Sequence, residues 1–127
     1  MENKDVKILV VDDEEDITIM SAKILKYEGY TTFTAFDGVE ALEIFKKEHP
    51  QINIIDIYLG YSPINGIEVM QKIKAMDKGA KCIIMTRATD PQTVKKVKEA
   101  GVEVYMSKPM DTEEWLNTIK EVAETLK

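Results

Sequence analysis

The sequence predicts an α/β protein: a flavodoxin-like, doubly wound sheet of five parallel strands in the order 2-1-3-4-5, with five helices. Two observations carry that prediction. Short apolar runs and amphipathic stretches alternate five times along the 127 residues, with no repeat, linker or low-complexity segment between them, so residues 1–127 read as one domain. Three of the apolar runs also stop abruptly on a carboxylate or hydroxyl. Ile8-Leu9-Val10-Val11 runs into Asp12-Asp13, Ile52 to Ile55 into Asp56, and Cys82-Ile83-Ile84-Met85 into Thr86.

The first strand covers residues 7–11, a short bounded run of the kind buried on both faces. Behind the acidic stretch Asp12 to Asp16, the residues Ile17, Met20, Ile24 and Leu25 recur at helical spacing and predict a helix over 14–28, stopped by Gly29. Residues 31–35 are β-branched and aromatic, hence a strand. Asp37 with Glu40 opens the second helix at capping-box spacing, and Ala41, Leu42 and Phe45 supply its buried stripe. The third strand is 52–57. Asn65 with Glu68 repeats the cap before a helix whose inner side is Ile67, Met70, Ile73 and Met76 and which fades at Asp77-Lys78-Gly79.

Strand four spans 81–86, and Asp90-Pro91 places a cap before a proline suited to a first helical turn. Val94, Val97 and Ala100 form that helix's apolar face, closed by Gly101; Val102 to Met106 is the fifth strand. Asp111 and Glu114 open a last helix carrying Trp115, Leu116, Ile119, Val122, Ala123 and Leu126. The methionines and Trp115 read as core filling.

Composition narrows the function. The formal net charge of −6 argues against nucleic-acid binding, which needs cationic side chains to displace counterions. It favours divalent cations or basic partners. No apolar run approaches the ~20 residues of a membrane span. The start, Met1-Glu2-Asn3-Lys4-Asp5, lacks the basic and apolar regions of a signal peptide, so a cytoplasmic location is expected. The lone Cys82 lies inside an apolar strand and reads as core, and the lone His49, before Pro50, as a surface residue at a helix end.

In the order 2-1-3-4-5, strands one and three meet at the switch point, where open α/β sheets bind ligands beyond the carboxyl ends of their strands. Asp12, Asp13 and Asp56 therefore converge, with Thr86 and Lys108 leaning over the same crevice. Packed carboxylates repel unless a cation compensates them, and an oxygen-only pocket suits Mg²⁺ or Mn²⁺. Glu14, Glu15 and Asp16 read instead as a solvated run at a helix start. Lys108 also suits a structural counter-ion for Asp56. Carboxylate nucleophile, divalent cation, ammonium and hydroxyl together form a set able to accept and hold a phosphoryl group.

The combination Val10-Val11-Asp12-Asp13, Ile54-Ile55-Asp56, Met85-Thr86 and Tyr105-Met106-Ser107-Lys108-Pro109 resembles, over the whole chain, the receiver domain of two-component response regulators. That resemblance implies a signalling switch of the single-domain chemotaxis or phosphorelay type, not a conventional enzyme. Asp56 would be the phosphoacceptor. Asp13, Asp56 and the backbone carbonyl of Tyr58 would bind Mg²⁺, with Asp12 acting through metal-bound water. Thr86 and Lys108 would contact the phosphoryl group, and Tyr105 would be the aromatic that changes rotamer as Thr86 is drawn in. The resemblance further implies a cis peptide before Pro109 and Met110 in a place more often aromatic. It implies a histidine kinase or phosphotransfer protein as donor, and a downstream protein met through the fourth helix, fifth strand and fifth helix. The protein would be a monomer or a weak dimer through that surface.

The sequence departs from the family pattern at two places. Gly60 stands where a proline is usual, and Gly66 follows Asp56 by ten residues, a loop two residues longer than usual, with Tyr58, Tyr61 and Pro63 as a rim. Arg87 follows Thr86 where a small residue is usual; it reads as a solvent-exposed loop arginine, a block to access or an added phosphate-binding cation. These departures keep open an alternative, a degenerate receiver acting as a phosphate-independent interaction module. A metal-dependent phosphatase would need a carboxylate where Tyr58 stands. A nucleotide or flavin module would need a Gly- or Ser/Thr-rich loop where Asp12 to Asp16 stands.

Overall fold

The strands Lys7–Val11 (β1), Thr31–Ala35 (β2), Ile52–Ile55 (β3), Lys81–Thr86 (β4) and Val104–Ser107 (β5) lie parallel in one sheet, ordered β2-β1-β3-β4-β5. Between and after them come the helices Glu15–Tyr27 (α1), Gly38–Glu48 (α2), Gly66–Met76 (α3), Pro91–Glu99 (α4) and Thr112–Glu124 (α5). This computed structural model describes residues 2–88, 90–108 and 111–126. The expectations placed on Pro109 and Met110 lie outside the described residues.

Side chains alternate across the sheet, as the pleat requires. Leu9, Val11, Ile55, Cys82 and Ile84 face one core with Phe45, Val69, Met70, Ile73 and Val97, so α2, α3 and α4 cover that face. Ile8, Val10, Ile52, Ile54 and Ile83 face the other, with Leu25, Trp115, Ile119 and Val122 of α1 and α5. The central strands are buried on both sides, hence their unbroken apolar runs. Asn53, fully buried in β3, is the polar exception; its amide donates to the carbonyls of Pro50 and Lys81. Burial pushes the Cys82 thiol up to about 12, so it behaves as a small core residue.

The register sets the functional end of the sheet. Val11 pairs with Ile55 and Ile55 with Ile84, so Asp12 and Asp56 leave neighbouring strands at the same height. One more ladder bond follows on each: Asp56 N–H donates to Val11 O at 3.0 Å, and Lys108 N–H to Thr86 O at 2.9 Å. Four helices carry the predicted caps. Asp37, Asn65, Asp90 and Asp111 each accept from the backbone N–H three residues on, and Asn65 with Glu68 completes a capping box.

Several boundaries and faces differ from expectation. β3 ends at Ile55 rather than residue 57, because the chain turns after Asp56 to let Gly66 N–H bond Ile57 O. β5 runs from Val104 to Ser107 instead of Val102 to Met106. At the position before it, the Glu103 carboxylate, rather than a backbone carbonyl, accepts from Cys82 N–H at 2.6 Å. In α1 the buried residues are Thr18 and Leu25, while Ile17 and Met20 are exposed, and Met76 of α3 is exposed too. Thr18 was invisible to a hydrophobic count: its hydroxyl is satisfied inside the fold by Asp12 O and Glu14 O. His49 lies at the surface as expected, in the left-handed conformation with φ 50° and its ring edge-on to Phe45.

Glu103 also receives the Lys74 ammonium at 2.6 Å, and Lys74 donates to Ala80 O, so one half-buried pair ties α3 to the start of β4 and β5. Glu103→Ala removes a charged acceptor from both Cys82 N–H and Lys74. It is expected to lower stability by about 2 kcal/mol, the scale of hydrogen bonds to charged groups, read as a shift of the urea midpoint.

Candidate functional site

At the carboxyl ends of β1 and β3 two buried carboxylates face one ammonium. Asp12 is 5% exposed and Asp56 8%, and Lys108 Nζ donates to Asp56 Oδ2 at 2.9 Å and to Asp12 Oδ2. The remaining oxygens are held by the backbone: Asp12 Oδ1 accepts from Glu14 N–H at 3.1 Å and Asp56 Oδ1 from Tyr58 N–H at 3.3 Å. Burial by itself would lower the affinity of Lys108 for its proton. The hydrogen bonds and charges of Asp12 and Asp56 outweigh it and hold the ammonium above the ordinary lysine value. Lys108 thus serves as counter-ion to both aspartates, where sequence reasoning weighed it for Asp56 alone.

Asp13 is placed differently. It is exposed and faces the loop after Asp56, where Gly60 has φ +58° and a β-carbon would stand 2.7 Å from Asp13 Oδ2. Glycine both adopts that backbone conformation and leaves room for the carboxylate. Among the described residues, no group of three acidic, histidine or cysteine side chains is gathered at metal-holding distance. The donor set is nonetheless oxygen-only: the three aspartates with the Tyr58 carbonyl match in kind what Mg²⁺ takes.

Thr86, fully buried at the end of β4, accepts from Ala88 N–H at 3.3 Å. Across the loop the Tyr105 hydroxyl donates to the Ala88 carbonyl, which ties β5 to the segment after Thr86. Burial, then the charge of Asp90 and the neighbouring Tyr58, raises the Tyr105 phenol above its ordinary value, so it is a proton donor throughout the neutral range. Arg87 is exposed and pairs with Glu14 at 3.1 Å, a partner that sequence reasoning missed because 73 residues separate the two.

The rim and the floor complete the site. Tyr58, Tyr61 and Pro63 are exposed as expected. Ser62 anchors the long loop, accepting from Gly38 N–H at 2.9 Å and donating to Ile64 O at 2.7 Å. A cavity of about 40 Å³ lies under Asp12, Asp56 and Lys108, walled by Trp115 and Met85. Beside it a hollow of about 380 Å³ opens between α1 and α5; Ile17 and Met20 border it, which accounts for their departure from the predicted core stripe, while Ile24 lines it and still packs against the core.

The sequence profile of the response regulator receiver domain matches residues 8–120. The chain belongs to that family. It is 34% identical over 114 residues to the sporulation initiation phosphotransferase F of Bacillus subtilis, covering 90% of each chain. It is 32% identical to the chemotaxis protein CheY of Treponema pallidum, covering 91% of this chain and 81% of that one. In three dimensions it matches the crystal structure of a CheY-like receiver domain protein from Methanospirillum hungatei with a TM-score of 0.88 at 29% identity, covering 94% of each. The fold and the family expected from the motifs are therefore those observed, and the protein is a receiver domain of two-component signalling.

In this receiver domain the longer loop is closed by Gly66. A β-carbon there would stand 2.0 Å from the carbonyl oxygen of Asp56 and 2.8 Å from Ile57 Cα. The signal was legible: glycine directly after an Asx cap, where alanine would form helix better, marks a close backbone approach. Gly66→Ala is expected to cost about 3 kcal/mol, the upper range for overpacking, because backbone rather than a side chain must move. Urea unfolding measures the loss, and amide NMR shifts centred on Asp56 and Ile57 locate it.

Proposed function

We propose that this receiver domain is a phosphorylation-dependent switch in which Asp56 accepts a phosphoryl group from a histidine kinase or phosphotransfer protein in the cytoplasm. The observation that supports it most is the Lys108 ammonium held between Asp12 and Asp56, beside the buried hydroxyl of Thr86. An Asp56 oxygen attacks phosphorus in line; the new O–P bond forms as the bond from phosphorus to the donor breaks, and the donor leaves with that electron pair. Lys108 turns from the carboxylate to an oxygen of the transferred group, and the Thr86 hydroxyl donates to another. Asp13, Asp56 and the Tyr58 carbonyl would hold Mg²⁺ or Mn²⁺, with Asp12 reaching it through water. When bound, the ion supplies positive charge against the phosphoryl oxygens.

The output follows from what Thr86 already touches. Its hydroxyl holds Ala88 N–H, and Tyr105 holds Ala88 O, so drawing Thr86 toward a phosphoryl group pulls on both and moves Tyr105. The surface of α4, β5 and α5 then changes toward a downstream protein or a second copy of the chain.

Incubation with acetyl phosphate and Mg²⁺ is expected to label the parent on Asp56 and leave Asp56→Asn unlabelled, with chelation of the metal abolishing uptake by the parent. Absence of uptake by the parent would favour the phosphate-independent module. A second expectation concerns charge: Lys108→Met leaves two buried carboxylates facing each other and lowers stability by about 3 kcal/mol, as breaking a buried pair does. Because the folded-state value of Lys108 is raised, its contribution is fully present below the unfolded lysine value of about 10.4 and is lost as pH rises through the folded one. The stability gap between parent and variant should hold from neutral pH to about 10 and shrink above it, measured by urea unfolding across pH.

A further inference from the structure

The sheet order makes one exposed contact unusual. Glu14 follows β1 and Arg87 follows β4, and these strands are not neighbours, because β3 lies between them, with Asp56 directly after it. Adjacent strands stand about 4.8 Å apart, so a side-chain contact between residues just past β1 and β4 has to bridge the width of β3. The Arg87 Nη1–Glu14 Oε1 contact of 3.1 Å does so. Glu14 is also free for it. It occupies the N-cap of α1, yet its side chain caps nothing there, and the turn is held instead by Asp12 accepting Glu14 N–H.

We propose that the Arg87–Glu14 pair is a latch over Asp56. Closed, it covers the approach to the carboxylate; opened, it frees Arg87 to take the anionic end of a small acyl phosphate. The inference rests on the reading of Asp56 as the phosphoacceptor. Three properties of the pair suit the task. With side chains 63% and 42% exposed it is weak enough to open in solution. The guanidinium presents a planar fork that matches phosphate oxygens, whereas Lys108 is already engaged by two aspartates. Asp13, Glu14, Glu15 and Asp16 are all exposed around the mouth and repel a dianionic donor, so a cation released there has its largest effect on entry.

In the step itself Asp56 forms its bond to phosphorus, the phosphorus–oxygen bond to the acyl group breaks, and acetate departs when acetyl phosphate is the donor. The latch acts before this, on access and binding: Glu14 acts through Arg87 as a positioning residue, and Arg87 binds the donor. The test follows the initial rate at which Asp56 is phosphorylated, as the phosphorylated fraction by intact-protein mass, in four forms: the parent, Glu14→Gln, Arg87→Gln and the double variant, with acetyl phosphate and saturating Mg²⁺. All four should melt with the parent, since both positions are at the surface. Glu14→Gln is expected to be about two- to fivefold faster than the parent, the range given by releasing an exposed pair. Arg87→Gln should be slower than Glu14→Gln, and the double variant should match Arg87→Gln, because freeing Arg87 matters only while Arg87 is present. Equal rates for the parent and Glu14→Gln, or a double variant as fast as Glu14→Gln, would overturn the latch and leave the acceptor assignment standing. A parent that takes up no phosphate while folded and supplied with Mg²⁺ would overturn both.

Discussion

Everything at the working end of this receiver domain depends on one ammonium group. Asp12 and Asp56 reach the same height on neighbouring strands because the parallel register brings them there, and two buried carboxylates in that position repel. Lys108, delivered from the end of β5 on the far side of β4, satisfies both. The interaction therefore joins three strand ends with a single side chain, and it fixes the relative positions of the segments after β1, β3 and β5. A buried pair of this kind is weak as a source of net stability but strict in geometry, since its removal leaves uncompensated charge.

Much of this was readable from residue order. Alternating apolar runs and Asx caps specified the five βα units, and the abrupt change from Val11 to Asp12, from Ile55 to Asp56 and from Met85 to Thr86 marked the edge at which function would gather. What sequence reasoning missed has a common physical origin. Thr18 is buried because its hydroxyl finds two backbone carbonyls, Glu103 replaces a backbone acceptor by its carboxylate, and Glu14 meets Arg87 over an intervening strand. Each is a polar group satisfied by a partner distant in sequence or outside the regular backbone pattern, and hydrophobic periodicity carries no trace of such partners. The same limit explains α1: spacing identifies a helix with an apolar stripe but not that Ile17 and Met20 border a hollow instead of filling a core.

The loop after Asp56 is held at three points. Gly66 allows the helix start to close on the Asp56 carbonyl, Ser62 ties the loop to the first turn of α2, and Gly60 makes room for Asp13. Tyr58, Tyr61 and Pro63 of that loop are exposed, while the backbone next to Asp56 stays in register with the sheet. On the opposite side, Thr86 accepts from the N–H of Ala88 and Tyr105 donates to its C=O, so β4 and β5 both hold the backbone of one residue through consecutive peptide units.

The depth of Cys82 has a practical consequence. It is the single cysteine of the chain, enclosed between β3, β5 and the helices of one face, and its thiol is pushed up to about 12. At neutral pH it offers almost no thiolate to an alkylating reagent. A cysteine introduced at an exposed position such as Tyr61 would therefore react alone, so a spectroscopic label could be set on the loop after Asp56 without first removing the native residue from the core.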